Sequence, residues 1–252
     1  MQFLALFFLG IIQGLTEFLP VSSSGHLVLF SKLFGIEESL FVSILLHGAT
    51  LLSIVVCFAK DIWQMIRHPF SKQTTSLVIA TLPTCVLALL FLPLVKQSFS
   101  GSLLPVFFAL SAVFLFLGEV LSKKQQSQFN NKTAFAMGFA QGFAIFPGLS
   151  RSGTTISAGL LAGGDKKSVA KFSFLMSVPI ICISLFAEIF EIATTKQTIS
   201  LPIAGLTVSF LVAFLIGIFA IKIMLKLTQN ANLKWFSVYL VLVSVISLFV
   251  FF

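Results

Sequence analysis

Charge is the scarcest resource in this chain. Asp, Glu, Lys and Arg make up 10% of its 252 residues, against roughly 25% in a soluble domain. With 58% hydrophobic residues and a mean hydropathy of +1.08, a soluble domain of useful size is excluded. Strict apolar/polar alternation is also missing, which excludes an outer-membrane barrel. No linker or low-complexity stretch divides the chain, so 1–252 reads as a single integral membrane domain. Cysteine is rare, and Cys57, Cys85 and Cys182 all fall in apolar runs. They read as packing thiols, with no disulfide and no metal-ligand spacing. The first residues lack a positive n-region and a small-residue cleavage site, so no cleavable signal peptide is expected there. The net charge of +8 would suggest nucleic acid in a soluble protein. Here the basic residues punctuate loops, so membrane orientation is the expectation and no nucleic-acid partner is.

What is present is long apolar segments. Six are long enough to span a bilayer, at about 20 residues: 41–60, 74–95, 102–121, 172–193, 201–221 and 235–252. Four shorter pieces, 3–16, 26–35, 133–146 and 154–163, form two pairs, each interrupted by a Gly/Pro/Ser-rich break. The breaks are related: Gln13-Gly14 matches Gln141-Gly142, and Ser22, Ser24 and Gly25 match Ser150, Ser152 and Gly153, each 128 residues apart. The expected fold is therefore an all-α polytopic membrane protein of two inverted repeats, about 1–125 and 129–252. Each repeat holds a broken re-entrant helix hairpin followed by three transmembrane helices, an architecture that builds binding sites near mid-membrane. Charge follows the same topology. One face collects Lys60, Arg67, Lys72, Lys123, Lys124, Lys132, Lys166, Lys167, Lys171, Lys222, Lys226 and Lys234, and the other Lys32, Lys96 and Lys196. The positive-inside rule puts the first set in the cytoplasm and opens the first hairpin outward.

Polar residues at membrane depth mark function, because only a protein-lined or wet cavity tolerates them. The first break, Gln13 to His26, carries Glu17, its only acid, with Ser22, Ser23, Ser24 and Gly25. Glu17 can hold a divalent cation through oxygen or act as a base. Gln13, one helical turn earlier, faces the same way. The serines can cap the next helix, contact phosphate or supply a nucleophile. The second break reads Phe146-Pro-Gly-Leu-Ser150-Arg151-Ser152-Gly153-Thr154-Thr155. Its arginine suits bidentate contact with phosphate or carboxylate. A helix starting near Gly153 would aim free N–H groups at the same anion, among the hydroxyls of Ser150, Ser152, Thr154 and Thr155. Arg151 pairing with Glu17 merely to hold the repeats together is the plainer reading. His47, early in the first span, reads first as packing and second as a residue bordering the cavity, and Glu119, Glu188 and Glu191 read as interface residues.

Gln13–His26 resembles the (E/Q)-x-x-x-E and P-V-S-S-[ST]-G-H signature of the undecaprenyl-diphosphate phosphatase family, the bacitracin-resistance proteins. Pro147–Thr154 resembles its P-G-x-S-R-S-x-x-T signature. The resemblance implies a bacterial plasma-membrane hydrolase with its active site facing the outer side. It would remove the terminal phosphate of an isoprenoid diphosphate lipid to recycle the carrier for peptidoglycan precursors. Catalytic roles would fall on Glu17, Ser23, His26 and Arg151. Substrate contacts would fall on Gln13, Ser22, Ser24, Gly25, Ser150, Ser152, Gly153, Thr154 and Thr155, and a Mg or Ca ion would sit at Glu17 and Gln13. Glutamine in place of the motif's first acid should weaken that ion. The nucleophile, whether Ser23, His26 or water, stays open, as does the oligomeric state, a homodimer included. From physics alone, an inverted repeat around an anion site argues equally for a transporter or lipid flippase. Only the assembled acid, serine and histidine favour an enzyme.

Overall fold

A computed structural model describes residues 2–35, 40–122, 129–195, 201–230 and 232–252. Lys123, Lys124 and Lys196 of the charge pattern lie outside these residues. Among the described residues every regular element is an α-helix: α1 Gln2–Thr16, α2 Ser23–Phe34, α3 Leu40–Cys57, α4 Ala59–Arg67, α5 Lys72–Ser98, α6 Leu104–Leu121, α7 Asn131–Phe143, α8 Arg151–Leu161, α9 Lys166–Thr195, α10 Ile203–Asn230 and α11 Lys234–Phe251. The chain is a multi-pass membrane protein: α5, α6, α9, α10 and α11 are each long and apolar enough to cross a bilayer.

The remaining expected span, 41–60, ends early. The chain bends 79° after α3, where the apolar run gives way to Lys60 and Asp61, and continues as the short α4. An ion pair at 2.6 Å from Lys171 of α9 to Asp61 fixes α4 in place. The four short apolar pieces appear as α1, α2, α7 and α8. None reaches 18 residues, because each pair meets head to tail at a break instead of running on.

Close helix approach holds the bundle, since lipid tails compete with apolar side chains and leave little hydrophobic drive between helices. α1 lies on α10 and α7 on α5, while α6 lies on α11. Glycines make the first two contacts. A methyl group at Gly10 would stand 2.6 Å from the Ser209 carbonyl, and one at Gly14 2.8 Å from that of Ala213. Gly138 meets the Ala80 backbone in the same manner. Thr84 completes the second contact by donating at 2.8 Å to the Gly138 carbonyl. The elements at matched positions in the two halves thus exchange partners, and the two breaks are brought face to face inside the bundle.

Candidate active site

The first break starts where α1 runs out of ladder. Val21 N–H turns back to the Leu19 carbonyl at 2.8 Å, and Ser22 then adopts φ 70°, ψ 95°. A serine in left-handed territory is strained by about 1–3 kcal/mol and persists only where its surroundings insist. Here they do. The Ser22 carbonyl accepts from His26 N–H at 3.1 Å and His26 Nδ1 at 2.7 Å. Its hydroxyl oxygen accepts from Gly25 N–H at 3.3 Å, capping α2, and from Gly148 N–H of the second break at 3.1 Å.

The second break puts its positive φ on Gly148 (98°) instead, where no side chain opposes it. Ser111 of α6 anchors this turn, donating to the Gly148 carbonyl at 3.0 Å and accepting from Ser150 N–H at 2.7 Å. Ser150 caps α8 by accepting from Gly153 N–H at 3.1 Å. Helix α8 therefore begins at Arg151, two residues before the expected start, and the Gly153 N–H is spent on the cap. Ser152 donates across to the Leu19 carbonyl at 2.9 Å. A methyl at Gly25 would stand 2.8 Å from Gly148, so the two turns touch through their backbones.

Between them sits Glu17, its side chain 1% exposed. One carboxylate oxygen is ion-paired with Arg151 Nη2. The other accepts from Ser23 Oγ at 2.5 Å and Gln13 Nε2 at 3.1 Å, and His47 Nε2 stands 4.0 Å away. The plain and the functional readings of Arg151 meet in one geometry. A buried pair of this kind contributes little net stability, but removing one member strands the other at about 3–5 kcal/mol.

A cavity of about 700 Å³ opens onto this cluster. Glu17, Ser22, Ser23, Ser24, His47, Ser150, Arg151 and Ser152 line its polar end, and Leu92, Val95, Phe99, Ile180, Ile181 and Leu185 line its apolar wall between α5 and α9. Such a lining suits an anion at one end and an apolar chain at the other. A guanidinium, hydroxyls and a serine on a carboxylate can hold a phosphoryl group and attack it.

Not every expected residue reaches the cavity. Thr155 is buried behind it, donating to the Arg151 carbonyl at 2.8 Å and sharing a 2.7 Å bond with Ser173. Thr154 Oγ1 is buried and unbonded. Gly25 and Gly153 serve contact and capping. His26, 2% exposed, is not among the lining residues. Conversely His47 lines the cavity, the second of its two expected places, as do Glu188 and Glu191, expected at the interface. The signal that could have found His47 is its place one turn before Thr50, on the α3 face that meets Gln13.

Gln13 lies behind Glu17, fully buried, and its Oε1 has no hydrogen-bond partner. No group of three His, Cys, Asp or Glu side chains among the described residues could hold a metal ion. Gln13 turns its Nε2 to Glu17 and does not line the cavity. With its unpartnered Oε1 it could join Glu17 only as a minor ligand of a hard, oxygen-seeking cation that completes its shell with water and phosphate.

An all-helical bundle with a hydroxyl-rich anion site on a buried carboxylate defines a membrane-embedded protein acting on a phosphorylated, lipid-like molecule. The profile of the family described as bacitracin resistance protein BacA matches residues 6–246. Among similar proteins, one from Thermosipho africanus is 40% identical over 250 residues, covering 96% of this chain and 98% of the relative. One from Thermosipho melanesiensis is 38% identical (95% and 96% covered), and one from Bacteroides thetaiotaomicron 37% (95% of each). All three are named undecaprenyl-diphosphatase. The chain belongs to the bacitracin resistance protein BacA family.

Proposed function

We propose that this protein hydrolyses undecaprenyl diphosphate to undecaprenyl phosphate and inorganic phosphate, recycling the lipid carrier for cell-wall synthesis and conferring bacitracin resistance. The observation that carries the reading is Ser23 Oγ at 2.5 Å from Glu17, whose other oxygen faces Arg151 at the end of the cavity. A binding-only protein has no need of a hydroxyl set on a base.

Arg151 with Ser150 and Ser152 holds the terminal phosphate, where positioning and charge stabilisation supply most of phosphoryl-transfer catalysis. Ser23 gives its proton to Glu17 and attacks the terminal phosphorus. The bridging P–O bond breaks and undecaprenyl phosphate leaves. Water then cleaves the phosphoserine, releasing inorganic phosphate and returning the proton. Magnesium or calcium, held by Glu17 and the Gln13 amide oxygen, would neutralise charge on the diphosphate when bound. Ser24 and Gly25 support the turn that presents Ser23, and the isoprenoid follows the apolar wall.

The site faces outward from a bacterial inner membrane in this reading. Support comes from the cavity lining, which includes Lys96 of the sparse basic set at the C-terminal end of α5, whereas Lys72 of the larger set starts that helix. The two halves are inverted copies, a reading supported by the partner exchange between α1–α10 and α7–α5. Phosphate release from isoprenoid diphosphate by purified protein tests the proposal. Substrate uptake into sealed vesicles with no release would overturn it.

A further inference from the structure

Tyr239, on α11, is the only tyrosine in the protein and does not line the cavity. Its hydroxyl lies 2.7 Å from His26 Nε2, 213 residues away in sequence. The other ring nitrogen, Nδ1, lies 2.7 Å from the Ser22 carbonyl. A carbonyl oxygen only accepts, so Nδ1 carries the proton. Nε2 of the neutral ring then offers only its lone pair, and Tyr239 is the donor. The ring is held flat as well: Tyr239 stacks on it at 5.7 Å and 7°, and Phe108 meets it edge-on at 5.4 Å. Both nitrogens are committed, and the ring is away from the cavity. As built, His26 is therefore neither base nor nucleophile. What it grips is the carbonyl of the one non-glycine residue with positive φ among the described residues.

The other break is pinned in the same way. Ser111 on α6 holds the Gly148 carbonyl and the Ser150 N–H. Ser111 and Tyr239 are 128 residues apart, the same spacing that relates the breaks themselves. Each break is thus fastened by a hydroxyl from one matched position on the last helix of the opposite half. Two independent bonds at that position argue against an accidental contact.

We propose that Tyr239 is a positioning residue for the reaction. Through His26 it fixes the left-handed turn at Ser22 and so holds the Ser23 hydroxyl on Glu17. The catalytic consequence rests on the phosphatase reading above, whereas the hydrogen-bond chain does not.

Tyr239→Phe separates the two, because it keeps the ring stack and removes only the hydroxyl. The expected result is a kcat for phosphate release lower by about tenfold, the value of one lost hydrogen bond. KM should stay within about twofold, since neither Tyr239 nor His26 touches substrate. In 15N-histidine spectra of the wild type in detergent, His26, assigned by its loss in His26→Asn, should carry its proton on Nδ1. In Tyr239→Phe its Nε2 resonance alone should move strongly. An unchanged kcat, a proton on Nε2 in the wild type, or a phenylalanine variant that does not fold each overturns the proposal. A wild type that releases no phosphate would remove the phosphatase reading and leave the spectroscopic result intact.

Discussion

The two breaks are built on one plan and have divided the labour. In each, a serine (Ser22, Ser150) caps a short helix, and the first residue of that helix points at the shared centre. At that matched position, 23 and 151, one break carries the hydroxyl that attacks in the proposed mechanism and the other the guanidinium that would clamp the phosphate. Glu17 is matched by Ile145 and His26 by Thr154. The backbones also differ. The second break spends its positive φ on Gly148, whereas the first, with Pro20 at that place, forces it onto Ser22. If the halves are the inverted copies proposed above, the comparison teaches that the turn and cap could be repeated while the chemistry needed the side chains to differ. Two clamps or two nucleophiles would make no phosphatase.

The largest expected effect breaks this division at its nucleophile. Ser23→Ala should lower kcat for phosphate release by at least about 10³-fold with the protein still folded. Near-normal turnover would give the attack to water. On the clamp side, Arg151→Ala should lower kcat/KM by about 10²–10³-fold, in line with removing one charge-stabilising donor from a buried site. It should also lower thermal stability, by stranding Glu17. Gly25→Ala should force the breaks apart, its methyl meeting Phe108 at 2.7 Å and Gly148 at 2.8 Å, and cost about 1–3 kcal/mol in unfolding experiments. Gly153→Ala, with 3.1 Å to Ser150, should cost less.

Subtler still is the glutamine pair. Gln13→Glu should lower the magnesium concentration for half-maximal activity by about tenfold, since a carboxylate replaces an amide beside Glu17. Gln141 also has an unpartnered Oε1 and lines the cavity, but Ile145 stands where Glu17 stands in the first break, so Gln141→Glu should lower that concentration less. The smallest effect is at the second cap, where Ser150→Ala should cost about 1 kcal/mol in thermal unfolding.

Much of this is legible in the sequence. Segment length separated the spanning helices from the four short ones. The motif residues Glu17, Ser23 and Arg151 sit together as their chemistry suggests. What stayed hidden depends on which helix faces which. A histidine on α3 and a tyrosine on α11 look like any polar residues in apolar helices, and packing alone sets His47 4.0 Å from Glu17 and Tyr239 2.7 Å from His26. The turn after Cys57 was missed because hydropathy runs on to Ala59, while the helix axis responds to where Lys60 and Asp61 can reach water. The 128-residue spacing, applied to Ser111, would have pointed to Tyr239.

The bond from Gly148 N–H to Ser22 Oγ also sets a schedule. Its partners are 126 residues apart. At about 5–20 residues per second of synthesis, the first break waits on the order of ten seconds for the backbone that completes it. Until then Glu17 has no arginine and Ser22 lacks the Gly148 N–H. A chain halted at its midpoint therefore holds Ser23 and Glu17 but no finished site, and activity should begin only after the second half enters the membrane.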